Sequence, residues 1–210
     1  MIAAATVHST AIIEDGVTLG FGTSVWDNVH IRHGASIGDE CIIGEKTYIA
    51  YDVRIGNRVK LNANVYVCAG VTIEDGVMIS AGTVFTNDRF PRAATNDLSA
   101  LRPSEPDDRT LETRVSAGAT IGANATIGPG LVIGRYAMVG MGSVVTKSIP
   151  DHHLVIGNPA RSVGMVCRCG ELLVRSASFD ENLVVGLRCA ACADRYTVVG
   201  KDVSYSAQSL

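Results

Sequence analysis

Aliphatic residues recur at every sixth position along most of this chain. The series runs from Val7 to Phe85, resumes at Val115 and ends at Val145, and only Phe85 is not Val, Ile or Leu. A helix would need apolar spacings of three and four, and a simple strand would need unbroken alternation. A six-residue period instead predicts short strands joined by sharp corners, which is typical of a β-solenoid with a continuous aliphatic core.

Glycine directly follows many of these aliphatic residues, at positions 20, 38, 44, 56, 122, 128, 134 and 140. We interpret these glycines as corner residues, because glycine adopts backbone conformations that other residues avoid. Small or β-branched residues commonly stand four places after the aliphatic one, as at Ala35, Thr47 and Val53. Each hexad then makes one side of a prism.

Composition and charge exclude several classes of protein. The chain has 47% hydrophobic residues, only 5% aromatic residues and 22 glycines, which favours short strands and tight turns over a helical bundle. Its net charge is -3 and no Lys/Arg run is interleaved with aromatic residues, so we expect no nucleic-acid partner. The N-terminus does not resemble a signal peptide and no apolar run reaches 18 residues, so we expect a cytoplasmic protein without membrane contact.

The repeat stops between Phe85 and Val115, in a stretch rich in Asp, Arg and Pro. A chain that keeps its period strictly and then drops it gains no core packing in the interrupted part. Long irregular loops in compact folds are usually functional or disordered. We therefore expect a functional excursion loop at about residues 86–114.

Three segments carry a resemblance to a known family. They are "SVWDNVHIRHGASIGDECIIG", "VTIEDGVMISAGTVFTNDRFPRA" and "GATIGANATIGPGLVIGRYAMVGMGSVVTKSIPDHHLVIGNPAR". Over about residues 10–165 the chain resembles hexapeptide-repeat acyltransferases, most of all those that acetylate a 3-amino sugar on a nucleoside diphosphate. The resemblance implies an all-β, left-handed parallel β-helix of triangular section, in which three hexads close one coil. About seven coils, at roughly 4.8 Å per stacked strand, would then give a height on the order of 30 Å. It also implies acetyl-CoA as co-substrate and a homotrimer in which donor and acceptor meet between neighbouring prisms.

Three residues are candidates for the acetyl-transfer step. The resemblance implies that Asn87, in "VFTND", lies near the reacting centre, where its amide either orients the amine through oxygen or polarises the thioester carbonyl through nitrogen. Asp88 either accepts a proton or hydrogen-bonds the loop backbone. His30 has the pKa range of a general base, but a structural role at a corner is equally open. The pKa of a sugar amine is roughly 8, which is lower than the pKa of a lysine side chain. Part of the amine is therefore neutral at pH 7, and a strong base is optional.

Further candidates concern the acceptor and the coenzyme. Trp26, the single tryptophan, occupies a position usually held by small residues and is expected to point outward, to a neighbouring subunit or a ligand ring. Acceptor binding is predicted for Trp26, Lys60, Asn62, Asn64, Arg89 and Arg92. Coenzyme binding is predicted for Ala117, Gly118, Gly140, Lys147, Asn158, Pro159, Ala160 and Arg161. A corner role for the two acceptor asparagines, and simple solvation for Lys147 and Arg161, stay open.

After "GNPARSVG" the repeat ends and four cysteines follow. Cys167 and Cys169 form a CxC pair, and Cys189 and Cys192 form a CxxC pair. Four thiolates in two close pairs predict a closed, structural zinc site. We therefore expect a β-helix acyltransferase domain at residues 1–164 and a zinc-ribbon-like module at residues 165–210, which is too small to fold readily without a metal. The shortened first pair leaves a redox pair or degenerate ligands open.

Two other functions compete with N-acetylation of an amino sugar. An acyltransferase that acts on another small amine or metabolite would use the same residues. A non-enzymatic scaffold with a zinc docking module fits the repeat but has no use for the "FTND" loop. The γ-type carbonic anhydrases share the prism and bind zinc through three histidines, but no histidine lies between His33 and His152, so the sequence argues against them.

Overall fold

The computed structural model describes residues 4–103, 106–107, 109–175, 184–200 and 202–206. All regular elements within these ranges are β-strands, and the described segments include no helix able to cross a membrane. The strands are β1 (Thr6–Val7), β2 (Ile12–Ile13), β3 (Thr18–Leu19), β4 (Ser24–Val25), β5 (His30–Ile31), β6 (Ser36–Ile37), β7 (Ile42–Ile43), β8 (Tyr48–Ile49), β9 (Arg54–Ile55), β10 (Lys60–Leu61), β11 (Tyr66–Val67), β12 (Val71–Ile73), β13 (Met78–Ile79), β14 (Val84–Phe85), β15 (Thr113–Val115), β16 (Thr120–Ile121), β17 (Thr126–Ile127), β18 (Val132–Ile133), β19 (Met138–Val139), β20 (Val144–Val145), β21 (His153–Gly157), β22 (Ala160–Val166), β23 (Leu172–Arg175), β24 (Val184–Arg188), β25 (Arg195–Val199) and β26 (Asp202–Ser206).

Strands β1 to β21 wind into a β-solenoid with three parallel sheets as its sides. Sheet A contains β1, β4, β7, β10, β13, β16, β19 and β21; sheet B contains β2, β5, β8, β11, β14, β17 and β20; sheet C contains β3, β6, β9, β12, β15 and β18. Paired residues such as Ser24 and Ile42 are three hexads apart, so three hexads make one coil. The predicted all-β parallel β-helix of hexapeptide repeats is confirmed, with about eight coils instead of about seven.

The core is a ladder of inward side chains from the six-residue series. Ile31 is fully buried, and so is Ala125 at the second inward position of its hexad. Polar residues at that second position bond to the adjacent coil, as Thr23 Oγ1 does when it donates to the Gly38 carbonyl at 2.7 Å. Val7, on the edge strand β1, is 41% exposed. An inward side chain is therefore fully buried only where a neighbouring coil lies on both sides of its own.

The glycines that follow the aliphatic residues have a different role from the predicted one. None of these eight has a left-handed backbone. A Cβ on Gly44 would come within 2.6 Å of the carbonyl carbon of Asn62 in the next coil, so close stacking of coils requires glycine there. The left-handed corner residue lies three places after the aliphatic residue of each hexad and is often not glycine, as at Asn28, Glu40, Lys46, Asp52, Arg58, Asn64, Asn124 and Tyr136. These eight glycines do lie in the corner segments, but the predicted reason, a backbone conformation that other residues avoid, is wrong for them.

The excursion loop interrupts one coil without disturbing the stack. It leaves after Phe85 and returns at Thr113, and the strands on both sides of it pair in the normal register. A hydrogen bond from the Leu111 backbone N–H to the Asn87 carbonyl, 2.9 Å long, joins its two ends. The loop is thus a closed excursion that begins and ends at the edge between sheets B and C.

Beyond the last coil the pairing changes from parallel to antiparallel. β22 pairs with β21, and β23 pairs with β22, so both extend sheet A. β24, β25 and β26 form a separate antiparallel sheet, which we call sheet D. A small second core contains the buried residues Cys167, Cys189 and Tyr196. The expected domain division at residues 164 and 165 falls inside β22, so this strand connects the solenoid to the module.

Candidate active site

A cavity of about 1080 Å³ lies where the excursion loop folds over the solenoid. We call it the loop cavity. Arg32, Tyr48 and Tyr66, from sheet B and the edge between sheets B and C, contribute to one wall, and residues of the loop form the other. Four predicted site residues line it: Asn87, Asp88, Arg89 and Arg92.

Arg32 is held in a fixed position on the solenoid wall. Its Nε lies 2.6 Å from Glu14 Oε1, and its Nη1 donates to the Tyr48 hydroxyl at 2.9 Å. Its guanidinium carbon lies 4.2 Å from the centre of the Tyr51 ring. The contact with Glu14 raises the pKa of Arg32 above its ordinary value. Within the described residues Nη2 makes no hydrogen bond or ion pair, so this edge of the guanidinium is available to a ligand.

Glu14 is the centre of this arrangement. Its Oε1 also lies 2.8 Å from His30 Nε2, and its Oε2 accepts a hydrogen bond from the His33 backbone N–H at 2.9 Å. Partial desolvation would raise the pKa of Glu14, but hydrogen bonds from His30 and the His33 backbone N–H, together with the ion pair with Arg32, lower it to about 2. Glu14 is therefore a carboxylate at neutral pH, and it orients both His30 and Arg32.

His30 lies beside the loop cavity, outside the described lining. It stands on β5 edge-on to Tyr48, with ring centres 5.6 Å apart. Tyr48 in turn stacks on Tyr66, with ring centres 5.1 Å apart and an interplanar angle of 7°. Because Nε2 contacts Glu14, a general-base role for His30 would fall to Nδ1.

The side chain of Asn87 is oriented by the coil below it. Its Nδ2 donates to the Ala69 carbonyl at 3.3 Å, which leaves Oδ1 without a partner among the described residues. The neighbouring Asp88 carboxylate makes no hydrogen bond to the described part of the chain, so the predicted alternative of a loop-capping role has no support there.

Cys68 also lines the cavity, and burial raises the pKa of its thiol to about 12. It is therefore a neutral thiol.

Positive charge dominates the described lining of the loop cavity. The charged lining residues are Arg32, Arg89, Arg92, Arg102 and Arg109, with Asp88, Asp97 and Asp107. Two of these aspartates hold the loop together: hydrogen bonds from Thr95 and Ser99 lower the pKa of Asp97 to about 2, and Asp107 accepts from the Arg109 backbone N–H at 2.8 Å. The arginine side chains of this lining suit a ligand with several negative charges, such as a diphosphate.

The other predicted acceptor residues lie on different sides of the prism. Trp26, Asn62 and Asn64 lie at the edge between sheets A and B, and Lys60 is on sheet A. Trp26 is 53% exposed, in agreement with the expected outward orientation. The φ of Asn64 is 57°, within the range of 54–57° found at the non-glycine corners described above, so Asn64 is a corner residue. The loop cavity, as far as its lining is described, includes none of these four residues.

The predicted coenzyme residues are also divided. Ala117 and Gly118 line a second cavity, of about 460 Å³, at the edge between sheets C and A. Gly140 lies at the edge between sheets A and B, where a Cβ would come within 2.9 Å of Ile156 Cγ1. Lys147 follows β20. Asn158 and Pro159, joined by a cis peptide bond, form the turn from β21 to β22, and Ala160 and Arg161 are the first residues of β22.

The four predicted metal ligands converge. The sulfur atoms of Cys167, Cys169, Cys189 and Cys192 all lie within 4.8 Å of one another. The Cys167–Cys192 and Cys169–Cys189 sulfur distances are 3.4 and 3.6 Å. Tetrahedral Zn²⁺ with Zn–S bonds of about 2.3 Å needs sulfur atoms roughly 3.8 Å apart. Small adjustments therefore make this donor set fit zinc.

The solenoid wall of the loop cavity contains residues that the six-residue period does not reveal. Arg32, Tyr48 and Tyr66 in the wall, and Glu14 behind Arg32, are absent from the predicted site. A signal for the two tyrosines exists in the sequence, because His30, beside the wall, Tyr48 and Tyr66 follow one another at 18 residues, and 18 residues make one coil. Outward residues at that spacing stack on one face. The contact between Glu14 and Arg32 has no comparable signature.

Two family models match the chain. The model described as "Bacterial transferase hexapeptide (six repeats)" matches residues 16–50, 52–87 and 112–147, which together make up about half of the chain. The model described as "Hexapeptide repeat of succinyl-transferase" matches residues 34–69. All of these ranges lie in the solenoid, and the gap between the second and third ranges coincides with the excursion loop.

Similar proteins include a curated relative and solved structures. The relative is dTDP-3-amino-3,6-dideoxy-alpha-D-galactopyranose 3-N-acetyltransferase of Aneurinibacillus thermoaerophilus, 45% identical over 84 residues, which are 40% of this chain and 40% of the relative. The matched region thus spans two fifths of the relative's length.

Among solved structures, the acetyltransferase domain of PglB from Neisseria gonorrhoeae FA1090 has a TM-score of 0.50 at 18% identity, covering 77% of this chain and 58% of that chain. PerB from Caulobacter crescentus, in complex with CoA and GDP-perosamine, has a TM-score of 0.43 at 24% identity, covering 78% and 58%. The likeness to PglB concerns the fold alone. On the strength of the matching family model, the chain belongs to the bacterial transferase hexapeptide (six repeats) family.

Proposed function

We propose that this protein transfers an acetyl group from acetyl-CoA to the 3-amino group of a sugar linked to a nucleoside diphosphate. The observation that carries the proposal is the position of Asn87 in an arginine-lined cavity between the excursion loop and the solenoid. Family membership supports acyl transfer. The 45% identity to a nucleotide-sugar 3-N-acetyltransferase, over 84 residues, supports this class of acceptor.

Asn87 has the geometry to position the amine. Because its Nδ2 is bound to the Ala69 carbonyl, Oδ1 is the atom left to accept a hydrogen bond from the amine. This favours orientation of the amine over polarisation of the thioester. A neutral amine then attacks the thioester carbonyl, the N–C bond forms as the C–S bond breaks, and the amine proton ends on the departing thiolate. Since the pKa of the sugar amine is roughly 8, a useful neutral fraction exists at pH 7 without a strong base.

Arg32 and the tyrosine pair have properties suited to the nucleotide. The unpaired Nη2 edge of Arg32 offers charge-assisted hydrogen bonds to a phosphate, and Glu14 holds the guanidinium in place for them. Tyr66 is partly exposed and stacks on Tyr48, so it presents a flat ring face for a base. In this arrangement Glu14 is a positioning residue, because it acts through Arg32.

The proposal includes a site completed between copies of the chain, in a homotrimer. Trp26, Asn62 and Asn64 lie on an edge of the prism that is separate from the loop cavity of the same chain. Phe90 and Leu101, on the excursion loop, are highly exposed apolar side chains. A neighbouring prism packed against the loop would cover such side chains and bring the two edges together.

The proposal also includes a structural zinc ion held by Cys167, Cys169, Cys189 and Cys192. The convergence of the four sulfur atoms supports it. When bound, zinc would have four protein ligands and no open position, so it would supply a cross-link and no catalytic chemistry. Elemental analysis of the full chain tests this directly: one zinc per chain is expected, and loss of zinc is expected in Cys189→Ser.

The enzymatic proposal is tested by incubating the full chain with acetyl-CoA and a dTDP-3-amino-3,6-dideoxyhexose. Release of free thiol and mass spectrometry of the nucleotide sugar should show one acetyl group gained per thiol released. The same amino sugar without its nucleotide is the control and should react far more slowly. Equal rates for both would support an acyltransferase of another small amine. If neither acetyl transfer nor thermal stabilisation by excess acetyl-CoA is observed, the scaffold function is the one that remains.

A further inference from the structure

Two of the four cysteine side chains are shielded from water. Cys167 and Cys189 are buried, each with 2% of its surface exposed, whereas Cys169 and Cys192 are exposed. Four thiolates around one Zn²⁺ carry a net negative charge. A buried charge is costly unless protein donors replace the hydrogen bonds that water would make. The buried half of the proposed metal site therefore needs a donor from the protein.

Tyr196, on β25, is placed to be that donor for Cys167. Its hydroxyl oxygen lies 3.0 Å from Cys167 Sγ and accepts a hydrogen bond from the Arg168 backbone N–H at 3.0 Å. A cysteine that binds a metal has no S–H proton, so in the metal-loaded protein the hydroxyl donates and the sulfur accepts. Tyr196 is only 1% exposed, so this bond is shielded from water.

The ring of Tyr196 also reaches the solenoid, through His152. It lies edge-on to the His152 ring, with ring centres 5.3 Å apart and an interplanar angle of 69°. His152 in turn stacks on Tyr136, at 5.3 Å and 23°. Tyr136 belongs to the edge between sheets C and A, and a Cβ at Gly118 would overlap its ring. Glycine in the adjacent coil thus leaves room for the ring on which this stack rests.

Two hydrogen bonds join the same histidine to the residue before Cys167. The Val166 backbone N–H donates to the His152 carbonyl at 2.7 Å, and His152 Nδ1 lies 2.9 Å from the Val166 carbonyl. A carbonyl only accepts, so Nδ1 carries the proton of this second bond. His152 and Val166 are both buried. Cys167 is therefore connected to the last coil in two ways, through its neighbour in the chain and through Tyr196.

We propose that Tyr196 is a positioning residue for the metal, and that metal binding and the docking of sheet D against the solenoid strengthen each other. The inference rests on the proposed zinc site. With the metal bound, donation to Cys167 fixes the hydroxyl of Tyr196, and the ring is then held against His152. Because linkage is reciprocal, a change that weakens the docking must also weaken metal binding.

Zinc affinity, measured on the full chain by competition with a coloured chelator, tests the donor. Tyr196→Phe keeps the ring and removes the hydroxyl, and it should weaken zinc binding about tenfold or more. Tyr205→Phe is the matched control, because Tyr205 packs against Tyr196 and Arg168 but its hydroxyl bonds to no cysteine in the described structure. Its effect should stay below about twofold. Equal zinc affinity in Tyr196→Phe and the unmodified protein would overturn the donor role.

Cobalt spectroscopy separates a hydrogen bond to sulfur from ring packing alone. Co²⁺ can replace Zn²⁺ in a tetrahedral thiolate site, and its thiolate-to-metal charge-transfer absorption depends on the energy of the sulfur lone pairs. Loss of the Tyr196 hydrogen bond raises that energy. In Tyr196→Phe the absorption should therefore move to longer wavelength, while in Tyr205→Phe it should stay in place. Weaker metal binding without this spectral shift would mean that Tyr196 acts through packing, which would overturn the donor role.

Hydrogen exchange tests whether the metal holds the docked arrangement. The His152 N–H donates to the Arg135 carbonyl at 2.8 Å, so backbone amides of the last coil report on this contact. Removal of zinc with a chelator should speed exchange in peptides that cover residues 150–166, and zinc added back should restore the protection. Peptides from residues 36–67, in coils far from the module, are the internal control and should not change. Unchanged exchange at residues 150–166 would overturn the coupling.

A variant of the solenoid tests the reverse effect. Tyr136→Leu removes the solenoid's end of the aromatic stack, and zinc affinity should fall about fivefold or more although no cysteine is changed. Phe21→Leu is the matched control: Phe21 lies on the same edge of the prism, at the start of the solenoid, and is 63% exposed. It should leave zinc affinity unchanged. Equal affinities for these two variants would overturn the coupling even if the donor role holds.

These measurements need no acceptor sugar, so they stay readable if acetylation fails. A full chain that binds neither Zn²⁺ nor Co²⁺ would remove the proposed metal site together with this inference. Metal binding that depends on neither Tyr196 nor Tyr136 would remove this inference alone and leave the proposed function intact.

Discussion

The solenoid and the C-terminal module are stabilised by different physical means. In the solenoid every coil adds buried aliphatic residues, and Ile79, Ile121 and Ile127 have no exposed surface. The described part of the module buries few side chains, and the buried members of its core cluster are Cys167, Cys189 and Tyr196. A core of this size does not normally fold a short segment without a cross-link or a metal. The solenoid therefore distributes its stability over many contacts, whereas the module depends on one centre.

The same difference applies to function. The solenoid and its loop hold the residues proposed for chemistry, and the module holds the proposed metal. If this division is right, a change in one region affects catalysis and a change in the other affects local folding. Four predictions test the division, beginning with the largest effect.

Asn87→Ala is expected to lower kcat by about 100-fold or more, because an oriented polar group at the reacting centre is lost. Initial rates with acetyl-CoA and the nucleotide sugar measure this. The melting temperature and the affinity for acetyl-CoA should stay close to those of the unmodified protein, since a structural loss would move them. An unchanged kcat would remove Asn87 from the mechanism.

Removal of the metal, or Cys189→Ser, is expected to unfold the module and leave the solenoid folded. The four sulfur atoms converge on one centre, so losing it removes the cross-link that the small core lacks. Limited proteolysis followed by mass spectrometry should show new cleavages after about residue 165 and a protected N-terminal fragment. Cleavage spread evenly over the chain would show that the two regions do not fold separately.

Ile127→Ala is expected to destabilise the solenoid by about 2–5 kcal/mol, through lost burial and the cavity left behind. Ile12→Ala is the matched control, because Ile12 is 56% exposed on the outside of sheet B, and its cost should be about 0.5 kcal/mol or less. Denaturant unfolding measures both. Similar costs at the two sites would contradict the inward ladder.

Glu14→Gln is expected to change the acid dependence of stability. The pKa of Glu14 is about 2 in the folded protein, against an ordinary value of 4.5, so its stabilising contribution is complete above about pH 4.5 and is lost as the pH falls toward 2. The melting temperature of the variant should therefore lie below that of the unmodified protein at pH 7, with the gap closing near pH 2. A gap that is constant with pH would mean that Glu14 does not hold His30 and Arg32 by its charge.

The sequence predicted the solenoid well because its core has a strict period. Residues such as Ile31 and Ile49 are buried wherever the six-residue series places them. The role of Gly44 was not predictable in the same way, because the close approach of the next coil depends on three-dimensional stacking. The convergence of the four cysteines was predictable because two close pairs of cysteines have a spacing typical of metal ligands.

The candidate site was predicted in part. Asn87 and Asp88 were predicted from a motif in the loop that interrupts the repeat, and both line the loop cavity. Arg32 was not, because its importance depends on contacts with Glu14, Tyr48 and Tyr51 that bring together separate coils. Trp26 and Asn62 lie on a different edge of the prism from the loop cavity, and the six-residue period of one chain does not encode the proposed assembly that would bring them to the loop of another copy.

A crystal structure of the protein with CoA and a dTDP-3-amino sugar tests the central claim most directly. The amine nitrogen is predicted to lie roughly 3 Å from Asn87 Oδ1, with the diphosphate against Arg32 Nη2 and the coenzyme sulfur on the far side of the amine. A nucleotide sugar bound away from the loop cavity, with Asn87 facing neither ligand, would contradict the account.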